Sequence, residues 1–161
     1  MPLIKNLDLN KPTNKIEFYL IQAMTYCEDG HVTIHGNLYL PLHYLKLALD
    51  EAAKNSIQIP KSQLEHVSFV VCLGGKEAYL QQATYKLNSS KLTQNDLNTI
   101  DDFIKKAEEF SSKINEDIRD YILKMFLDSA KHHEERGETK CRNMCLERLA
   151  YHKERFNPKP L

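Results

Sequence analysis

Apolar residues recur every three to four positions along most of the chain, and this period predicts a mainly α fold of six or seven helices. The pattern is clearest after residue 92, where three segments follow one another with short connections. Because short connections favour antiparallel neighbours, we expect an antiparallel three-helix bundle at the C-terminal end. The apolar positions of these segments are Leu97, Ile100, Ile104 and Ala107; Ile118, Ile122, Met125 and Phe126; and Cys141, Met144, Cys145 and Leu149.

Three helix starts carry the spacing of a capping box, in which a polar N-cap residue precedes a carboxylate by three positions, and Ser62 with Glu65 is one of them. Asn14 has this spacing before a helix predicted over 15–28. Thr93 has it with Asp96, and Leu92 stands where a hydrophobic staple requires an apolar residue. We therefore expect the first helix of the C-terminal bundle to begin directly after Thr93.

The sequence does not decide the secondary structure of one segment in the middle of the chain. Pro41 suits the first turn of a helix that ends near residue 54, and a further helix is predicted over 76–87. The β-branched side chains within residues 65–73 permit either a helix or a buried strand. Whichever of the two forms, Gly74-Gly75 is expected to end it.

One short segment carries a β signal. Residues 31–35 alternate polar and apolar side chains, and Gly36-Asn37 suits a two-residue turn because glycine tolerates the positive φ that the turn requires. The sequence therefore predicts a small β-hairpin near residues 31–40, packed on the helices.

Length and charge are those of one ordinary globular domain over residues 1–161, with a subdivision into 1–88 and 92–157 as an alternative. Lys plus Arg and Asp plus Glu both number 22, so no net charge draws the protein to nucleic acid or to an anionic membrane. The N-terminus lacks the apolar run of a secretory signal, which favours a cytoplasmic protein or one delivered into a host cell by another route. No apolar stretch is long enough to span a bilayer.

Two groups of residues are candidate metal ligands. Cys27, His31 and His35 recur at four-residue intervals, although two histidines four residues apart on a strand are separated by about 13 Å. Cys141 and Cys145 share one helical face, where the alternative is a pair of small core side chains. A polar strand face is the alternative for the histidines, and no cofactor is indicated.

Cys72 is the candidate nucleophile of an enzyme hypothesis. It precedes Gly74-Gly75 and the predicted helix over 76–87, and a thiol near a helix N-terminus has a lowered pKa. None of the seven histidines stands at a diagnostic spacing from it, and burial of Cys72 as an apolar side chain is the alternative.

Residues 52–64 resemble a helix-turn-helix motif, with small residues in a first helix, a turn, and then a polar helix. The resemblance implies a DNA-binding regulator that reads bases with Lys61, Ser62, Gln63 and His66. Two positions depart from the motif, since Ile57 occupies the usual place of the turn glycine and the following apolar residues are one position out of register.

Taken together, these features predict a protein–protein interaction module, an adaptor or a regulator, without chemistry of its own. Its partner would be another protein. Abundant Lys, Asn, Ile and Leu also suit an effector that a bacterium directs at a host. A small Cys/His-dependent enzyme and a helix-turn-helix regulator are the alternative functions.

Overall fold

A computed structural model describes residues 8–28 and 39–157. These ranges form six helices, and no strand occurs within them. The prediction of a mainly α fold is confirmed. The helices are α1 (Pro12–Glu28), α2 (Tyr39–Lys54), α3 (Lys61–Leu87), α4 (Gln94–Lys113), α5 (Arg119–Glu135) and α6 (Thr139–Phe156).

The predicted β-hairpin near residues 31–40 finds no support in the described chain. Residues 31–38 lie outside the described ranges. Tyr39 and Leu40, which the prediction places in the second strand, are the first two residues of α2, so the assignment is wrong at these positions. The apolar period that continues through Leu45 explains the difference, because a helix starting at Tyr39 extends the same stripe.

The Gly74-Gly75 pair lies inside a helix and does not end one, so that prediction is wrong. α3 is continuous from Lys61 to Leu87, and residues 65–73 are helical. A Cβ atom at position 74 would lie 3.1 Å from the Sγ atom of Cys27 on α1. Close packing of α1 on α3 therefore uses the missing side chain, and it outweighs the helix-propensity cost of about 1 kcal/mol per glycine.

The chain divides into two compact units, one up to Ala78 and one from Tyr79 onward, and the division falls within α3. In the first unit α1 and α2 pack directly on each other. Aromatic rings contribute to this packing, since Tyr26 of α1 stacks on Tyr44 of α2 with ring centroids 5.7 Å apart. The buried apolar side chains of this unit are Ile16, Leu20, Ala23, Ala48, Ala52, Ile59, Val67 and Val71.

The second unit buries one apolar cluster formed by the end of α3 and by α4, α5 and α6. Asp101 on α4 contacts Arg148 on α6, and Glu108 further along α4 contacts Arg155 further along α6. The two helices therefore run in the same direction. α5 runs in the opposite direction, because its middle lies beside the end of α6 while its end lies beside the start of α6.

Three helices end in the same hydrogen-bonded turn. In each, a residue with positive φ follows the helix, and the next backbone N–H reaches back to a carbonyl five residues earlier. Ser56, Asn115 and Gly137 are these residues, at φ values of 53°, 57° and 72°. The turn at Gly137 carries the chain from α5 directly into α6, which places Glu138 beside the end of α5.

The capping box predicted at the start of α4 is present. The Oγ1 atom of Thr93 accepts from the backbone N–H of Asp96 at 3.1 Å, and an Asp96 carboxylate oxygen accepts from the Thr93 N–H at 3.0 Å. The hydrogen bond from the Thr93 backbone is the main cause that lowers the pKa of Asp96 below its ordinary value. Both donors would otherwise lack a partner within the helix.

Replacing Thr93 with alanine should therefore lower the free energy of unfolding by about 1 kcal/mol, the usual cost of removing a side-chain N-cap. Urea unfolding followed by circular dichroism measures the change. A Thr93→Ser control keeps the hydroxyl and should unfold close to the unmodified protein. Equal losses in the two variants would show that the hydroxyl does not cap α4.

Candidate functional site

An open groove of about 410 Å³ lies on the second unit, between the end of α3 and one side of α5. Helical geometry explains the α5 side, since residues three, four, seven and eight positions apart share one face. The groove is lined by Thr84, Asn88, Tyr121, Lys124, Met125, Asp128, Ser129 and His132.

The groove combines a buried base with an exposed, mixed rim. Ser129 is 2% exposed and Met125 is 6% exposed, so a hydroxyl and a thioether form the deep side. Tyr121 is 53% exposed at one end, and Lys124 and Asp128 place one charge of each sign on the rim. The arrangement can therefore hold an apolar group and hydrogen-bond a polar one without strong selection for charge.

Asn88 contributes an unusual polar atom at the end of α3. Its side-chain oxygen is buried and accepts no hydrogen bond from the described residues, whereas its backbone oxygen accepts from Arg136 at 2.8 Å. A buried acceptor without a donor costs about 1–3 kcal/mol. Unsatisfied buried polar groups are few in native proteins, so this oxygen is an exception among the described residues.

His133 contacts the end of α3 from the end of α5. Its ring is fully buried, with Nε2 2.8 Å from the carbonyl oxygen of Leu87 and Nδ1 2.8 Å from a carboxylate oxygen of Glu138. Arg136 also contacts that carboxylate, at 3.0 Å. Leu87 directly precedes Asn88, and His133 directly follows His132. The His133 ring therefore connects the ends of α3 and α5, the two helices that form the groove.

A second polar network holds α4 to α6 away from the groove. The Nε2 atom of His152 lies 3.0 Å from Asp101, and Arg155 donates to its Nδ1 atom at 3.0 Å. Asp101 also accepts from Arg148. Every partner is engaged within the network, so we assign it a structural role.

The structure places the cysteines of the C-terminal pair in the core of the second unit. Cys141 and Cys145 are buried on α6, and Cys141 donates to the carbonyl oxygen of Ser90 at 3.6 Å. Burial and the neighbouring Cys141 raise the pKa of Cys145 to about 12, so its thiol stays protonated at neutral pH. Within residues 8–28 and 39–157, no three His, Cys, Asp or Glu side chains group as metal ligands.

The described N-terminal candidates belong to the first unit. Cys27 belongs to α1 and packs against Gly74, while His31 and His35 lie outside the described residues. Cys72 lies in the middle of α3. It is therefore far from a helix N-terminus, and the effect that motivated its assignment as a nucleophile does not operate there.

The segment that resembles a helix-turn-helix has a longer connection than the motif. α2 ends at Lys54 and α3 begins at Lys61, whereas the motif uses a turn of about three or four residues. Lys61 lies 3.7 Å from Glu65 one turn along α3, so an acidic group accompanies the proposed reading surface. Gln63 lines a second open groove of about 390 Å³ within the first unit.

Sequence reasoning missed the residues that build the groove and its closed end. Ser129 and His133 continue the buried stripe of Ile122 and Phe126 at helical spacing. The apolar period of α5 therefore predicts that Ser129 and His133 are buried. Asp101 contacts Arg148 and His152 on α6, and no local spacing in the sequence indicates such partners.

The sequence matches no family model, and comparison with curated proteins and with solved structures finds no match. None of the helices in the described ranges combines the length and the apolar character needed to cross a bilayer.

Proposed function

We propose that this protein is a protein–protein interaction module, an adaptor or a regulator, which binds a segment of a partner protein in the groove between α3 and α5. The observation that supports this proposal is the groove. It joins a buried base, formed by Ser129 and Met125, to an exposed rim that includes Tyr121. Tyrosine and methionine are enriched at protein interfaces, and a buried polar group fixes the orientation of what binds.

The dimensions of the groove fit side chains of a peptide segment. Its volume of about 410 Å³ lies at the lower end of the range of ligand sites, and it is open along one side. A second tyrosine lies next to the lining residues, since Tyr85 is 85% exposed and precedes Asn88 by three positions on α3, a spacing that makes the two side chains neighbours on the helix surface. Tyrosine supplies a large contact area at a small cost in conformational entropy.

The two alternative functions have weaker support. The enzyme hypothesis depends on Cys72, which lies inside α3 and outside the groove. The DNA-binding hypothesis depends on a short turn before Lys61, whereas residues 55–60 form the connection. Neither alternative uses the groove in the second unit.

Replacing Tyr121 with alanine should abolish capture of the partner. Tyr151 offers a matched control, because both tyrosines are 53% exposed and Tyr151 lies on α6 outside the groove. We expect one protein to be retained by the unmodified chain and by the Tyr151→Ala variant, and lost by Tyr121→Ala. With the purified partner, Tyr121→Ala should weaken binding about 30-fold, the effect of removing an interface hot spot.

Calorimetric titration of the purified partner gives the dissociation constants, and circular dichroism verifies that both variants fold. Equal affinities of Tyr121→Ala and Tyr151→Ala for the partner would refute the groove as the binding site. Retention on heparin that falls with salt, without a protein partner, would instead support the DNA-binding alternative.

A further inference from the structure

Ser129 differs from Ser111, also a buried serine of the second unit, in what its hydroxyl group contacts. Ser111 is 1% exposed and donates to the carbonyl oxygen of Ala107, one turn earlier in α4, at 2.7 Å. Ser129 is 2% exposed, lines the groove and forms no hydrogen bond with any described residue. Because a buried hydroxyl group without a partner is costly, the arrangement favours a ligand that pairs with it.

Asn88 adds an unpartnered amide to the same groove from α3. It lines the groove, and its side-chain oxygen is buried without a donor among the described residues. Turning the amide over about its last side-chain bond exchanges oxygen and nitrogen, so Asn88 can present an acceptor or a donor. The hydroxyl group of Ser129 also both accepts and donates. The matching ligand group is therefore one that does both.

The charges of the groove favour a neutral ligand group. Lys124 and Asp128 lie one helical turn apart on α5 and both line the groove, so their opposite charges offset each other. The base, formed by Ser129 and Met125, carries no charge. A carboxylate or an ammonium group that reached this base would lose its hydration without gaining an opposite charge there.

We infer that the partner segment places a glutamine side chain in the groove, with its carboxamide hydrogen-bonded to Ser129 and Asn88. The carboxamide is neutral and carries both donors and an acceptor, so it can pair with both unpartnered groups. Its aliphatic stem lies against the thioether of Met125, the apolar part of the base. The inference rests on the proposed function, since it specifies the chemistry of the segment that the groove binds.

A random peptide library displayed on phage is the probe that tests this specificity. Peptides are selected on the unmodified protein, and those that no longer bind Tyr121→Ala are kept as groove-dependent. We expect these peptides to share a glutamine. Replacing that glutamine with methionine or with glutamate should weaken binding about 10-fold, because each change leaves buried polar groups unpaired or buries a charge. Fluorescence anisotropy of labelled synthetic peptides measures the dissociation constants.

A Ser129→Ala variant shows whether the hydroxyl group supplies the preference. With its partner group removed, the glutamine and methionine peptides should bind this variant within about twofold of each other. Thr84→Val is the matched control, because Thr84 also lines the groove but its hydroxyl group already donates to the carbonyl oxygen of Leu80 at 2.9 Å. The control should keep the full preference for glutamine. Circular dichroism verifies that both variants fold.

The outcomes separate this inference from the proposed function. Groove-dependent peptides without a shared glutamine would overturn the inference and leave the groove as a binding site. A preference that Ser129→Ala retains, or that Thr84→Val loses equally, would also overturn it. If no selected peptide depends on Tyr121, the groove does not bind peptide segments, and the proposed function fails together with the inference.

Discussion

Replacing Phe126 with alanine will lower the free energy of unfolding of the second unit by about 4 kcal/mol. Phe126 is fully buried on α5 in the apolar cluster, and its ring stacks on His152 with centroids 5.1 Å apart. Removing the ring costs its transfer free energy and leaves a cavity, since the surrounding helices relax only in part. The groove depends on the same helix, so its lining should lose order as well.

Urea unfolding with hydrogen exchange resolved along α4–α6 measures this loss. Phe69→Ala provides a matched control, because Phe69 is 46% exposed in the first unit. We expect the control to lower stability by less than about 1 kcal/mol. Equal losses in the two variants would contradict the assignment of Phe126 to the centre of the core.

Replacing His152 with alanine should lower the stability of the second unit by about 3 kcal/mol, whereas His152→Phe should cost about 1 kcal/mol. The ring is 2% exposed and lies against Phe126 and Phe156. Alanine removes both this packing and the hydrogen bonds to Asp101 and Arg155. Phenylalanine restores the packing, and Asp101 keeps its contact with Arg148.

The same unfolding experiment compares the two variants. A larger loss for His152→Phe than for His152→Ala would show that the polar network outweighs the packing of the ring. We expect the opposite order, because Asp101 and Arg155 are only part-buried and retain other partners.

Local signals in the sequence predicted the parts of the fold that local interactions control. Thr93 and Asp96 are three residues apart, and both hydrogen bonds of their capping box form within that span. The apolar stripes of the last three helices likewise depend on a period inside each segment. Gly74-Gly75 failed as a helix end because its packing partner, Cys27, lies far away in the sequence.

The candidate site was harder to predict because its contacts join distant residues. His133 meets Leu87, and His152 meets Asp101, across separations of 46 and 51 residues. A local pattern shows that such rings face inward, but it does not show which acceptor they meet. Local patterns also do not identify two of the helix ends. Ser56 and Asn115 have positive φ there, although glycine is the residue usually expected in this conformation.

Photo-crosslinking from position 85 tests most directly whether the groove binds a protein. Tyr85→benzoylphenylalanine places the reactive group beside the groove on an almost fully exposed site, and the same replacement at Tyr151 places it on α6. We predict one discrete protein adduct from position 85, absent from position 151 and lost when Tyr121→Ala is added. The same adducts from both positions, or an adduct at position 85 unaffected by Tyr121→Ala, would contradict the proposed function.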